Sequence, residues 1–471
     1  MKKNIAIKLS TGDILANNGF AAEKDRFCLG DVSIKMGKTL EISKDCFSST
    51  PLFYAVAGDC FYASTNWLDL ESSIREKNLF LNLDYVYDYI QFQCPRTAAT
   101  MCDKIFYLRG GETLTVDEKG VPSTYFTPPA ASAAVLLEDT LKDTLSSLDN
   151  KNTVYHISSG LDSSILTILA AGIHTAPLKL VTCKTRGKGA ADELANVERL
   201  AERLKAGLKI YDFTNIDIFK EGIFLNDALG YPTGHPSHLI EFLLEKENRD
   251  KKYVVTGKGP DEVLAGYEWH KEEYSPAQAH FQRVCVTPPG FLDELLLNFS
   301  ARGERYSFWE KQSTLSLRDR LLYDLQSISP AWEIIHSAIG TYFDICITSP
   351  FMNKQLRNTL FFLDDNLKIR NNIHKWYLRE TFRDLYPDYI LNFPKQGLRL
   401  DLQPYLRDFS FSELYHMLYK TAEFSQKYIN ETLLKKMIEE TLNGKKNWGW
   451  QTWNIYLCSL FYAKLMYTRY T

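Results

Sequence analysis

Residues 156–164 read HISSGLDSS. The apolar run TVY leads in and ILTILAAG leads out, a strand signal followed by a helix signal. Four serines, one glycine and one aspartate lie between them. A packed core has no use for so many hydroxyls. The turn either caps a helix or holds a polar ligand, and the rest of the chain decides which.

Outward from this turn, strand and helix patterns alternate. A helical stripe over 134–148 precedes the strand TVYHIS, and the helix SSILTILAAG follows. Then come a strand over 178–185, a helix over 191–207, a strand over 208–214, a helix over 237–248 and a strand over 252–257. Short connections between alternating elements predict an α/β fold, a parallel sheet with helices on both faces. Beyond about residue 268 the chain reads as mostly helical and aromatic-rich.

Residues 1–126 read differently. Aromatic and apolar runs flank Gly58-Asp59, a hairpin signal. The same pattern surrounds Arg109-Gly110-Gly111 and closes at Glu118-Lys119-Gly120, with a helical pattern over 81–93 between. TPPAASAA (127–134) reads as a linker. The expected division is a small β-rich domain over 1–128 and an α/β domain over 129–471, as 471 residues exceed one ordinary core.

Composition is globular, with 45% hydrophobic residues and a net charge of −3, which gives no reason to expect nucleic acid as a partner. The nine cysteines are scattered, odd in number and form no C-x-x-C pair, so neither a disulfide framework nor a zinc site is expected. No window approaches the roughly 18 apolar residues of a membrane span, and the start lacks a signal-peptide core. The expectation is a soluble, cytoplasmic protein.

In a parallel sheet, ligands sit beyond the carboxyl ends of the strands. Two unusual turns fall there, SSGLDSS after the first strand and GKGPDEVLAGY (257–267) after the fourth. A helix N-terminus attracts anions, Gly160 allows close approach, and Ser158, Ser159, Ser163 and Ser164 offer donors. Asp162 would repel a phosphate unless a cation lay between, and Mg²⁺ held by carboxylates and phosphates resolves that conflict. The plainer reading is a cluster of N-caps. Neither familiar nucleotide fingerprint is present. In the second turn Gly257 and Gly259 permit a tight backbone, and Asp261 falls at the same sheet edge as Asp162, where the two could share a metal.

Here the chain resembles a known family. SSGLDSS is similar to the pyrophosphate loop of ATP-pyrophosphatase-type enzymes, and GKGPDEVLAGY to the segment that accompanies it in asparagine synthetase B-type enzymes. ADELANVERLAERL (191–204), TSPFMNKQLRN (348–358) and KWYLRETFRDLYPDYILNFPKQG (375–397) resemble three further family segments in the same order. The resemblance implies a synthetase domain in which a carboxylate attacks the α-phosphate of ATP, and an amine then displaces AMP. It places Ser158, Ser159, Gly160, Asp162, Ser163, Ser164, Gly257, Gly259 and Lys375 around ATP and pyrophosphate. It makes Asp162 and Asp261 magnesium ligands, and Lys395 a catalytic cation.

Departures narrow the expectation. Glutamine-using members begin with a cysteine immediately after Met1, where this chain has Lys2. Residues 38–70 look like the later half of a glutaminase sandwich, which implies a truncated, inactive domain. Alignment back from Pro350 puts Cys346 at a family glutamate, Thr348 at an arginine and Ser337 at an aspartate of the acceptor site. Ser159 replaces a glycine and Lys258 an acid, neither expected to matter. This pattern resembles the ring-forming branches, the β-lactam and carbapenam synthetases and the lasso-peptide macrolactam cyclases. They imply a peptide or small amino acid derivative as substrate and, for a lasso system, a leader-peptide-processing partner protein. Glu333 lies near that branch's acceptor-site acid, with Tyr323 a candidate partner; a surface glutamate is the plainer reading. Intermolecular amidation with free ammonia or an amine, and a non-catalytic ATP-binding remnant, are the alternatives. His235-x-x-His238, the run Lys184, Arg186, Lys188, and the helix over 447–465 read as ordinary structure.

Overall fold

The computed structural model describes residues 3–9, 14–18, 20–23, 26–29, 31–37, 39–74, 79–93, 97–117, 119–187, 190–271, 286–298, 311–394 and 400–467. The amino-terminal part is two antiparallel sheets. One has the order β2-β1-β8-β7-β9, built from β1 (Asn4–Lys8), β2 (Ile14–Asn18), β7 (Phe53–Ala57), β8 (Cys60–Ser64) and β9 (Phe106–Tyr107). The other has the order β11-β10-β6-β5-β4-β3, built from β3 (Ala21–Glu23), β4 (Arg26–Leu29), β5 (Val32–Met36), β6 (Leu40–Lys44), β10 (Glu112–Val116) and β11 (Pro122–Phe126). Strands of both sheets contribute to one apolar cluster, with Ile5, Phe61 and Tyr54 from the first and Ile34, Ile42 and Leu114 from the second. Two helices, α1 (Trp67–Ile74) and α2 (Leu83–Phe92), follow β8.

The hairpin expected at Gly58-Asp59 forms, with Ala57 opposite Cys60. The one expected around Arg109-Gly110-Gly111 does not. There β9 ends in the first sheet and β10 begins in the second, so the turn carries the chain between layers. Two glycines make the crossing. A Cβ on Gly110 would lie 2.6 Å from the Cys46 carbonyl oxygen, and Gly111 has φ +80°.

The second part is a five-stranded parallel sheet in the order β14-β13-β12-β15-β16. Its strands are β12 (Thr153–His156), β13 (Lys179–Lys184), β14 (Gly207–Asp212), β15 (Tyr253–Val255) and β16 (Cys346–Thr348). α3 (Leu137–Ser146) precedes the sheet, and between its strands lie α4 (Leu161–Ile173), α5 (Ala190–Arg203), α6 (Ile218–Leu229) and α7 (Ser237–Glu247). Sequence patterns did not predict α6 and β16. The signals for α6 are local: the Asp217 carboxylate accepts from the Phe219 and Lys220 amides, and Gly230 ends the helix at φ +64°.

The order matters for the site. Strands β13 and β14 lie on one side of β12, and β15 and β16 on the other. The direction of winding reverses between β12 and β15, which opens a crevice at their carboxyl ends. Both unusual turns follow these two strands. Further along, α8 (Leu317–Ser327), α9 (Ser329–Phe343), α10 (Lys354–Phe361) and α11 (Trp376–Thr381) complete the walls. The final long helix, α12 (Gly449–Tyr467), is buried through most of its length, as a closing helix. One apolar cluster joins Phe53, Trp67 and Tyr89 of the first part to Val154, Val254 and Trp453 of the second. No helix among the described residues is long and apolar enough to cross a membrane.

Candidate functional site

The turn after β12 is not a cluster of N-caps. The N-cap of α4 is Gly160, and no side chain caps the helix. Ser158 Oγ pairs with Ser163 Oγ at 2.9 Å and accepts from the Gly160 amide at 3.1 Å. These bonds shape the loop and leave the start of α4 without a side-chain acceptor, the arrangement that suits an anion. Two of the serines assigned to phosphate have other work. Ser159 is buried and donates to the Glu193 carbonyl at 2.9 Å, and Ser164 is buried and donates to the Ser158 carbonyl at 3.3 Å. Their hydroxyls face the protein, where burial requires partners for them.

The second turn fits the first closely. A Cβ on Gly257 would lie 2.7 Å from the Ser163 amide nitrogen, so only glycine lets the two loops touch. Gly259 has φ +112°. A Cβ on Gly266 would overlap the Asp261 carboxylate. Ala265 has φ +56°, and its carbonyl meets His374 Nδ1 at 2.6 Å.

Asp162 and Asp261 do come together. Lys375 lies between them, with Nζ at 2.5 Å from Asp162 Oδ2 and 2.6 Å from Asp261 Oδ1. Lys375 is buried and holds φ +52° at the start of α11, an unfavourable backbone for lysine. The donor set suits a hard divalent cation: two carboxylates converge, and Asp162 Oδ1 is buried with no hydrogen-bond partner. Tyr386 steadies the loop from outside, donating to the Leu161 carbonyl at 3.1 Å. Lys395 lies outside the described residues.

The proposed acceptor residues are placed differently. Glu333 is not a surface residue. It is buried on α9, and Oε2 takes Lys44 Nζ at 2.8 Å and the Tyr107 hydroxyl at 2.7 Å. Both partners come from the amino-terminal sheets, so this carboxylate joins the two parts. Tyr323 is buried in an apolar cluster on α8. Cys346 is exposed at the amino end of β16, opposite Tyr253, away from the strand ends that carry the two turns. Ser337 lies 3.4 Å from the Thr65 carbonyl. Arg186 is committed to the Pro404 carbonyl at 3.0 Å and Asp408 at 2.6 Å.

Lys258, expected to be idle, is engaged. Its ammonium pairs with Glu241 Oε1 and lies 3.0 Å from the centroid of the Trp332 ring. His336 Nε2 approaches Glu241 Oε2 at 3.4 Å, and His156 pairs with Glu245 at 3.2 Å. Burial lowers the Lys258 ammonium below the usual lysine range, against the pull of Glu241. Burial would raise the Glu241 carboxyl, but Lys258 and His336 outweigh it and hold it well below the usual range. Sequence reasoning missed this cluster, although the lysine in place of a family acid was a signal.

A crevice at the winding reversal, an uncapped helix start and a carboxylate pair define an ATP-pyrophosphatase-type α/β synthetase domain. Residues 134–466 match the family model for asparagine synthase, and the chain belongs to that family. It is accordingly a ligase that forms carbon–nitrogen bonds. It is similar to "Asparagine synthetase [glutamine-hydrolyzing] 1" of Bacillus subtilis (strain 168), 18% identical, with 91% of this chain and 76% of that protein covered.

Proposed function

We propose that the protein adenylates a carboxylate with ATP, releasing pyrophosphate, and joins it to an amine that it does not obtain from glutamine. The observation that carries this reading is the convergence of Asp162 and Asp261 on Lys375 beside the uncapped start of α4. The α4 start and the Ser158–Ser163 loop would bind the pyrophosphate of ATP. Asp162 and Asp261 would hold Mg²⁺, which neutralises phosphate charge when bound. Lys375 would then turn from the carboxylates to the phosphates, keeping a cation beside separating negative charge.

The amino-terminal sheets serve as scaffold in this reading. Cys46, in the turn after β6, is buried in the apolar cluster of the second part, and burial pushes its thiol up to about 12, the opposite of an activated nucleophile. The Lys44–Glu333 pair ties the scaffold to α9.

Ring closure of a peptide or amino acid derivative is the favoured reaction, with its amine already on the substrate. Candidate substrates incubated with ATP and Mg²⁺ should yield AMP and pyrophosphate, and by mass spectrometry a product lighter by one water. ADP as the nucleotide product would overturn the reading. A product formed only when an amine is added would favour intermolecular amidation.

A further inference from the structure

The cluster around Lys258 lies one residue beyond Gly257, the glycine that touches the Ser163 amide. Three walls form it. Helix α7 supplies His238 and Glu241, one turn apart on one face, and α9 supplies Trp332 and His336 in the same way. The loop after β15 supplies Lys258. The side chains of Lys258 and His336 keep 20% and 17% of their exposure, so the cluster opens on one side.

Three buried polar atoms there lack a hydrogen-bond partner. Two of them, Glu241 Oε2 and His336 Nε2, face each other across 3.4 Å. The third is Nε2 of His238, whose ring stands at 84° to that of Trp332 with centroids 4.5 Å apart. His238 Nδ1 pairs with the Thr233 hydroxyl. In the tautomer whose Nδ1–H donates to Thr233 Oγ1, Nε2 presents a bare lone pair. Burial lowers His238 well below the usual histidine range, which keeps it neutral. A carboxylate oxygen, an imidazole lone pair and an indole face are what a primary ammonium needs: two acceptors for N–H and a π surface for charge. The side chain occupying the place is itself an ammonium.

We propose that Glu241, His238 and the face of Trp332 form the receiving site for the amine of the ligase reaction, taken up as a primary ammonium, with Lys258 filling the site until that amine displaces it. This rests on the proposed function. In that reading the amine waits beside the ATP loop, and Glu241 fills the part that Glu333, committed to Lys44, cannot.

The probe is methylammonium chloride, titrated into the full chain by calorimetry against sodium chloride at equal ionic strength. Lys258→Ala should bind it at least tenfold more tightly than the wild type, and Lys258→Ala with Glu241→Gln should lose that gain. Tetramethylammonium, which has no N–H, should bind Lys258→Ala at least tenfold more weakly than methylammonium. Lys258→Ser replaces the alanine variant if circular dichroism shows that the latter does not fold. No gain in either variant, or a gain indifferent to Glu241→Gln, would overturn the proposal. Titration of MgATP into the same samples separates the two readings. ATP binding without methylammonium binding rejects the amine site alone. Methylammonium binding without ATP binding rejects its place in a ligase reaction.

Discussion

Two lysines meet the second turn, Lys258 within it and Lys375 on its Asp261, and they differ in kind. Lys375 lies between two aspartates at 2.5 and 2.6 Å, with no aromatic ring at its ammonium among the described contacts. Lys258 has one glutamate and an indole face. The first arrangement answers a site that suits a divalent ion. The second answers a site that suits a monovalent organic cation. A ligase joining a phosphate-activated carboxylate to an amine needs one of each, and the crevice between β12 and β15 presents both.

A third lysine calibrates the comparison. Lys44 and Glu333 are both buried and paired with each other, and the proposed reaction assigns them no part. Lys44→Met should destabilise the protein by about 3–5 kcal/mol, the usual cost of leaving a buried partner charged and alone. Urea unfolding checks this, and Lys44→Met with Glu333→Gln should recover part of the loss. An effect on ATP affinity in the folded variant would mean that this pair belongs to the site after all.

Lys375→Met should cost less, about 2 kcal/mol in metal-free buffer, since Asp162 and Asp261 keep some solvent to screen their repulsion. Added Mg²⁺ should restore the melting temperature of this variant more than it raises that of the wild type. Equal responses to Mg²⁺ would remove the contrast between the two lysines.

The pH dependence of His238 is smaller again. Its folded pKa lies well below the unfolded value of 6.5, so the unfolded chain binds a proton that the folded chain refuses. Stability from this group is full above pH 6.5 and is lost as pH falls below it, by at most about 1.4 kcal/mol per pH unit. Melting temperatures taken between pH 7 and 5 should fall more steeply for the wild type than for His238→Gln. Parallel curves would mean that His238 protonates freely and that the amine site lacks its neutral acceptor.

The smallest effect separates the two kinds of serine in the first loop. Ser159→Ala removes one buried hydrogen bond to Glu193 and should cost about 1 kcal/mol, with MgATP affinity unchanged. A tenfold loss of affinity on calorimetry would return that hydroxyl to the phosphate site.

The fold was legible because buried parallel strands and their covering helices carry strong periodic signals, and TVYHIS and KYVVTG are of that kind. The turn at Arg109-Gly110-Gly111 misled because two glycines read alike whether the chain reverses within a sheet or crosses to another. That Asp162 and Asp261 share a sheet edge was legible because both turns follow strands of one parallel sheet; that β12 and β15 are neighbours came from the structure. The amine cluster was not legible, since Glu241, Lys258 and Trp332 come from a helix, a loop and a second helix, and each is ordinary where it stands. The burial of Glu333 was hidden for the same reason. Its partner Lys44 lies 289 residues away, in sheets whose contact with α9 no local pattern announces.

The central claim is that Asp162 and Asp261 form the metal-dependent ATP site. Calorimetric titration of ATP with Mg²⁺ into the wild type and into Asp162→Asn with Asp261→Asn tests it most directly. The account predicts saturable, Mg²⁺-dependent binding by the wild type. It predicts a loss of about 100-fold or more in the double variant, since each charge-assisted contact contributes roughly 1.5–3 kcal/mol. Equal affinity in both proteins, or wild-type binding indifferent to Mg²⁺, would contradict it.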